Sequence, residues 1–528
     1  MALNLLGCQQ LDAQKLERPD PLPQDTFVEA YFNHTQSTDY QEPYRGLKRS
    51  GDDLEKLIVD AIASAQSTVD VAVQELRLPK IAQALAERHQ AGVKVRVILE
   101  NNYSRPWSEL TKAEITKLPS RERGKYDEAV KLIDRNNDTQ LSPTEINQGD
   151  ALVILRNAGV PIIDDTADGS KGSGLMHHKF LVIDGRRLLV TSANFTTSGI
   201  HGDFAAPNSR GNANNLLKIE SSELVTAFTQ EFNLMWGDGP SGKPDSRFGL
   251  KKSLRPPQQV KLGNTTISVQ FSPISPTQPW SQSSNGLISK TLTTANQSID
   301  LALFVFSEQR LADTLAITHQ RGVQIRTLID PSFAYRYYSE GLDLMGVALS
   351  NKCQYEADNR PWQQPITTVG VPQLPQGDLL HHKFGIIDAQ TVITGSHNWS
   401  AAANHQNDET VLVINSSTVA AHFKREFERL YSNSVLGVPV AVQEKIKEQQ
   451  QQCTEITQAD SNVSTGELVN LNTASQKELE TLPGIGPKLA QRIITARQQK
   501  QFTSLEDLDN VSGVGPNLLQ KLDGRVSW

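Results

Sequence analysis

A long segment of this chain is written twice, and that duplication constrains the fold more than any other feature. "ASAQSTVDVAVQELRLPKIAQALAERHQAGVKVRVILE" (63–100) aligns with "TTANQSIDLALFVFSEQRLADTLAITHQRGVQIRTLID" (293–330), with Asp70 opposite Asp300 and Gly92 opposite Gly322. The spacing of apolar residues predicts helix, strand, amphipathic helix, glycine turn and strand in each copy, an α/β unit with a parallel crossover. A second block repeats as well: "LMHHKFLVIDGRRLLVTSANFTTSG" (175–199) against "LLHHKFGIIDAQTVITGSHNWSAAA" (379–403). A chain of 528 residues, 38% hydrophobic and 21% charged, is too long for one core. Two related halves packed as a pseudo-dimer meet that condition.

The first pair of blocks is offset by 230 positions and the second by 204, so the first half carries 26 extra residues (230 less 204). This insertion, at about 108–150, contains "DRNNDTQLSPTE" (134–145). Asp134, Asn136 and Asp138 stand at positions 1, 3 and 5 of an EF-hand-like calcium loop, with Gln140 at 7, apolar Leu141 at 8 and Glu145 at 12. Thr139 replaces the usual glycine at position 6 and strains the turn. The expectation is a structural calcium site; the alternative is a polar helix–turn–helix.

Two histidines and a lysine inside a β-branched strand are costly to bury unless something pairs with them. Alternate strand residues share a face, so His381 and Lys383 point one way while Phe384 and Ile386 enter a core. Ser396 and Asn398 share a face on the next run, and His177, Lys179, Ser192 and Asn194 reproduce the set in the first copy. Facing copies bring these groups into one cleft. The set suits phosphodiester cleavage and requires no catalytic metal. A neutral imidazole attacks phosphorus to form a phosphohistidine; a protonated one gives its proton to the leaving oxygen, then activates water. Lysines and amides stabilise the charged transition state. His178 and His382 lie on the opposite face as structural residues. Asp184 and Asp388 have the wrong parity for phosphate contact and read as supports for neighbouring groups. Glu409 is placed to hold the far nitrogen of a catalytic histidine; its counterpart by register is Asn214, so the halves are electrostatically unequal.

These motifs resemble the signature of the phospholipase D superfamily, His-x-Lys-x4-Asp followed by Gly-Ser-x-Asn. It stands here as "HHKFLVID…TSAN" and "HHKFGIID…GSHN", over roughly residues 25–435. The motif positions are His177, Lys179, Asp184 and Asn194, then His381, Lys383, Asp388, Ser396 and Asn398; Thr191 replaces the glycine before Ser192. The resemblance implies an α/β fold, an α/β/α sandwich pseudo-dimer, and a phosphohistidine intermediate. It also assigns the nucleophile to the first copy, while Glu409 beside the second leaves that assignment open. Family members cleave phospholipids, cardiolipin or nucleic acids, and some synthesise lipids.

Beyond residue 433 the composition turns polar and glutamine-rich, as in a linker, before "LPGIGPK" and "VSGVGPN". This tail is similar to the tandem helix-hairpin-helix module of bacterial competence DNA receptors, a small all-α domain. Gly484, Gly486 and Lys488 form the better hairpin; Gly513 and Gly515 form the second, with Asn517 in place of a basic residue. Such hairpins offer backbone N–H groups to a DNA phosphate without reading sequence. Residues 466–528 hold seven Lys/Arg and seven Asp/Glu, so bulk charge contributes little. The expected organisation is an N-terminal segment (1–24), two halves (25–245 and 246–435), a linker (436–465) and the hairpin domain (466–528).

Two functions follow. One is a DNA-directed nuclease; the other is a phospholipase D that hydrolyses phosphatidylcholine-like lipids to phosphatidic acid. "FAYRYY" (333–338), Trp107 and Trp399 suit either, stacking on bases or meeting acyl chains. A net charge of −7 argues against a generally basic surface but allows a local basic cleft. No apolar run approaches the ~18–20 residues of a membrane-spanning helix. Cys8, Cys353 and Cys453 lie far apart and offer no disulfide or zinc spacing. "NLLGC" matches a lipoprotein cleavage signature, yet "MALNLLG" lacks the basic start and apolar run of a signal peptide. Either the start is truncated and Cys8 is an envelope anchor, or the match is accidental and the protein is cytoplasmic.

Overall fold

The computed structural model describes residues 18–170, 173–356, 358–453, 469–482, 484–502, 508, 511–514, 518–519, 522 and 526–527. The first half builds one sheet from β1 (Val28–Phe32), β2 (Thr68–Val73), β3 (Lys94–Leu99), β4 (Ile162–Asp164), β5 (Lys179–Ile183), β6 (Arg187–Thr191) and β7 (Asn215–Glu220), in the order β1-β7-β6-β5-β2-β3-β4. The second half uses β8 (Gln258–Leu262), β9 (Thr265–Phe271), β10 (Ser298–Leu303), β11 (Gln324–Ile329), β12 (Val369–Pro372), β13 (Lys383–Ile387), β14 (Thr391–Gly395), β15 (Thr410–Asn415) and β16 (Ser434–Leu436). Their order is β8-β9-β15-β14-β13-β10-β11-β12-β16.

The duplicated segments become the two parallel crossovers. β2 joins β3 through helix α1 (Pro79–Gln90), and β10 joins β11 through α2 (Gln309–Gln320). Each helix runs into a glycine in the left-handed region, Gly92 at φ +90° and Gly322 at φ +91°, where an L side chain is strained. The same cross-strand ion pair recurs in both: Arg96 Nε donates to Asp70 at 2.6 Å, and Arg326 Nε to Asp300 at 2.7 Å.

One hydrophobic core is shared between the halves. Phe180, Phe228 and Phe232 of the first sit in the same cluster as Phe384, Phe423 and Phe427 of the second, all fully buried. Truncating one such ring to alanine costs about 3–5 kcal/mol. Separate cores cover the outer face of each sheet. The resulting layers, helices outside and two long helices (Ser222–Trp236 and Ser417–Tyr431) between the sheets, make the mixed α/β pseudo-dimer.

One expectation is overturned. Cys353 and Cys453 form a disulfide with Cα atoms 5.6 Å apart across 100 residues of sequence. Linear spacing carried no sign of it, because the pairing depends on a helix that folds back. Helix α3 (Val440–Gln452) lays Val442 and Ile446 against the second half's core. Gln449 exchanges two hydrogen bonds with the Ser350 backbone, at 3.0 and 2.9 Å. Those contacts set Cys453 beside Cys353.

The C-terminal unit holds its own core, with Leu479, Leu482, Ile485, Leu489, Ile493 and Phe502 buried. Helices Gln476–Glu480 and Pro487–Gln499 form it, and two-residue strands at Val469–Asn470 and Val526–Ser527 are a small addition to the expected all-α unit.

Candidate active site

The two halves exchange short segments. Met176 bridges to Asp408 and Leu380 to Ala213, each across the seam. His177 N–H donates to the Asp408 carbonyl (3.0 Å) and His381 N–H to the Ala213 carbonyl (3.2 Å). Each motif is therefore seated by the other half, and neither copy completes a site alone.

That exchange determines what holds each histidine. Glu409 Oε2 lies 2.7 Å from His177 Nδ1. It also accepts from Ser396 Oγ at 2.7 Å, and its Oε1 from Asn407 at 3.2 Å. A carboxylate only accepts, so the proton sits on Nδ1 and the Nε2 lone pair is left for chemistry. In the mirrored position, Asn214 Oδ1 lies 3.0 Å from His381 Nδ1 and accepts from Ser192 Oγ at 2.7 Å. Asn214 donates its amide to the Gly199 carbonyl (2.8 Å), which fixes Oδ1 as the acceptor. One histidine thus has a charged acceptor and the other a neutral one.

The lysines sit behind the histidines. Lys179 Nζ donates to the His177 carbonyl at 2.9 Å and Lys383 Nζ to the His381 carbonyl at 2.7 Å, both fully buried. Burial pushes Lys179 down to about 7 despite the attraction of Glu409 and Glu75. Burial, then repulsion from Lys179, takes Lys383 well below its ordinary value. Burial and the nearby lysines likewise hold His177 and His381 well below 6.5, and burial raises Glu409. The first cause is common to all: burial disfavours the charged form of each group. The clustered cations add to it for Lys383 and the histidines while opposing it at Glu409.

Asn194 and Asn398 are the half-buried residues of the set, and among the described residues their Oδ1 atoms find no hydrogen-bond partner. Asp184 and Asp388 do not enter the cleft. Asp184 accepts from the backbone N–H groups of Gln66, Ser67 and Thr68, and Asp388 from those of Asn296, Gln297 and Ser298. Burial alone would raise Asp184, but these donors outweigh it and hold the carboxyl at about 2. His178 and His382 face the core, bonded to Glu231 and Glu426 at 3.0 Å each. Thr191 fits without glycine by donating its hydroxyl to the Asn215 carbonyl at 2.6 Å. Its counterpart Gly395 has no such freedom, since a Cβ there would lie 2.1 Å from the Thr410 carbonyl oxygen.

Sequence reasoning missed two neighbours. Gln74 Oε1 accepts from Asn194 at 3.2 Å and Lys179 at 3.4 Å. Phe304, 230 positions later, lies 4.9 Å from the His381 ring and 5.0 Å from Lys383 Nζ. The repeat alignment pairs them, and the mismatch of an amide with an aromatic ring was the available signal. Trp399 is 1% exposed and cannot meet a substrate, which removes it from the aromatic candidates.

The other predicted sites lie elsewhere. In the 134–145 loop, Asp134 accepts from the N–H groups of Asp138 and Thr139, and Glu145 from those of Arg135 and Asn136. Gln140 N–H donates to Asp138 at 2.8 Å. Thr139 takes the left-handed φ of +65° that its position demands. Among the described residues, no three His, Cys, Asp or Glu side chains gather into a metal-holding group. In the C-terminal unit Gly484 (φ +83°), Gly486 and Lys488 are exposed, and the helix that Gly486 begins has no side-chain cap. Gly513 has φ +99°; Gly515 and Cys8 lie outside the described residues. No described helix is long and apolar enough to cross a membrane.

Comparison with known proteins identifies the family of this chain. Residues 58–236 and 288–431 match the family described as "Cardiolipin synthase, PLD-like domain", and 464–527 match a helix-hairpin-helix motif. Mitochondrial cardiolipin hydrolase of Mus musculus is 32% identical over 155 residues, 29% of this chain and 60% of that protein. A phospholipase D of Rickettsia bellii is 28% identical over 177 residues, 32% of this chain and 75% of that one. The chain spans between about half and three fifths of the first curated relatives it matches. Among solved structures, phosphatidylserine synthase of Haemophilus influenzae gives a TM-score of 0.47 at 12% identity, covering 82% of this chain and 94% of that one. Since the family match spans more than half of its residues, in both copies of the histidine–lysine motif, the chain belongs to the phospholipase D-like family.

Proposed function

We propose that this protein hydrolyses a phosphodiester through a phosphohistidine on His177, with His381 as the acid and then the base. The observation that carries this reading is the unequal pair of acceptors, Glu409 on His177 and Asn214 on His381. His177 Nε2 gives its lone pair to phosphorus as the bond to the leaving oxygen breaks. Glu409 stabilises the cationic phosphoimidazole that forms. His381 hands its Nε2 proton to the leaving oxygen; a neutral amide behind it keeps it a better acid than a carboxylate would. Water then attacks phosphorus, gives a proton to His381, and the P–N bond breaks. Lys179, Lys383, Asn194 and Asn398 meet the non-bridging oxygens. The bound phosphate charge also favours the protonated forms of Lys179 and Lys383.

DNA is the proposed substrate, and the exposed glycine hairpin at Gly484, Gly486 and Lys488 supports it, since uncapped helix N–H groups suit a phosphate backbone. Gly513 and Gly515 belong to the same proposal. The alternative substrate is a phosphatidylcholine-like lipid. Purified protein offered plasmid DNA, single-stranded DNA and phosphatidylcholine side by side, with chelator present, is expected to cut DNA. Cleavage of lipid alone would sink the nuclease reading, and activity surviving either His177→Ala or His381→Ala would sink the shared site.

Calcium at 134–145 stays within this proposal as a structural ion. It is supported by the register of Asp134, Asn136, Asp138, Gln140 and Glu145, and titration calorimetry with Ca²⁺ tests it. The Cys353–Cys453 disulfide supports an oxidising compartment, because such bonds persist there.

A further inference from the structure

We infer that a one-sided track of aromatic and basic side chains, running from His381 to the disulfide-held helix α3, binds a single strand of nucleic acid. The inference rests on the nuclease reading above and names its substrate class. Phe304 stands 4.9 Å from His381, and Phe333 stands 4.8 Å from Phe304 in an edge-to-face pair. Two residues on, Tyr335, Arg336 and Tyr337 line a cavity of about 400 Å³ together with Ser350, Asn351 and Lys445 of α3. Tyr337 is 37% exposed and packs edge-on to Tyr338.

Charge and polarity select the ligand. Arg336 donates through Nε to the Ser332 carbonyl. Among the described residues neither Arg336 nor Lys445 enters an ion pair. Two cations outside any ion pair, interleaved with aromatic faces, match the alternation of phosphate and base along an unpaired strand. An acyl chain would need a continuous apolar wall, and Ser350, Asn351, Arg336 and Lys445 interrupt this one. The first half carries a matching cavity of about 420 Å³ lined by Tyr103, Arg105 and Trp107, but the cations there are paired, Arg105 with Glu114 at 2.7 Å and Lys125 with Glu75 at 3.3 Å. At the position matching Phe304, Gln74 is engaged by Lys179 and Asn194. The strand would therefore leave the site on the second-half side only. Lys445 reaches the cavity because α3 is pinned there by Gln449 and the disulfide; that helix buries none of its own residues fully.

The test measures binding of a fluorescent oligothymidylate by anisotropy, using full-length protein carrying His177→Ala so that the strand is not cut. Adding Tyr337→Ala and Lys445→Ala together is expected to weaken binding about 5- to 50-fold. The same pair in otherwise wild-type protein should leave hydrolysis of bis(4-nitrophenyl) phosphate unchanged, which also shows that the fold is retained. Unchanged oligonucleotide affinity would overturn the inference. So would a loss of binding to phosphatidylcholine vesicles in place of the loss on DNA. If the strand binds with this dependence but wild-type protein cuts only lipid, the nuclease reading fails and the track stands.

Discussion

Replacing Glu409 by glutamine keeps the shape of the acceptor and removes its charge, which tests the acceptor asymmetry at its smallest unit. His177 must become cationic when it bonds to phosphorus, and the buried carboxylate 2.7 Å away is its counter-charge. Glu409→Gln is expected to lower kcat on a small phosphodiester by about 10²- to 10⁴-fold, with KM little changed. A loss of under tenfold would show that the carboxylate only orients the ring. Lys179 yields a pH prediction. Its folded value of about 7 lies below the ordinary 10.5, so between those limits the unfolded chain binds the extra proton. This group's contribution to stability therefore rises with pH from about 7 to about 10.5, and its burial cost is fully present below 7. Phosphate contact needs the ammonium form. Binding of inorganic phosphate at pH 8 should then take up protons, and kcat/KM should fall above about pH 7. Calorimetry in buffers of different ionisation enthalpy reads the uptake, and a net uptake of zero contradicts the assignment.

At the scale of elements, the aspartates of the two motifs act as clamps between strands. Asp184 sits at φ +51° in the turn after β5 and ties it to the backbone entering β2. Asp184→Ala is expected to destabilise the first half by about 1.5–3 kcal/mol, visible as a lower thermal midpoint. Strand parity showed that Asp184 and Asp388 face away from phosphate, because period-two alternation is a local property. Parity also placed His381 and Lys383 on one face and Phe384 in the core. The repeat offset exposed the two halves for the same reason: equal sequence folds into equal elements. What alignment could not show was the exchange across the seam. Glu409 was visible as a partner for some histidine, but that the histidine is His177, in the other half, depends on which edges meet. The Cys353–Cys453 pair stayed hidden for a related reason, since its closure depends on α3 folding back over a loop rather than on any local period.

At the scale of the whole molecule, the disulfide sets where the tail departs. Helix α3 is polar, with only Val442 and Ile446 packed on the core, and the Gln449–Ser350 bonds are partly open to solvent. Without the cross-link these contacts compete against the entropy of a free segment, whereas closing a long loop is worth about 2–4 kcal/mol. Reduction should therefore release α3 while both sheets, whose cores do not depend on it, stay folded. Limited proteolysis is expected to cut within 440–453 much faster in reductant, or in Cys453→Ser, with little change in the stability of the two halves. The functional consequence follows from tethering. On the proposed DNA-binding role, a hairpin unit whose tether starts from the anchored Cys453 raises the effective concentration of its DNA at the active site, and a tether lengthened by release of α3 lowers it. Reduction should then raise KM for long DNA several-fold and leave turnover of a small phosphodiester alone. Equal losses on both substrates would show instead that the bond supports the catalytic half itself.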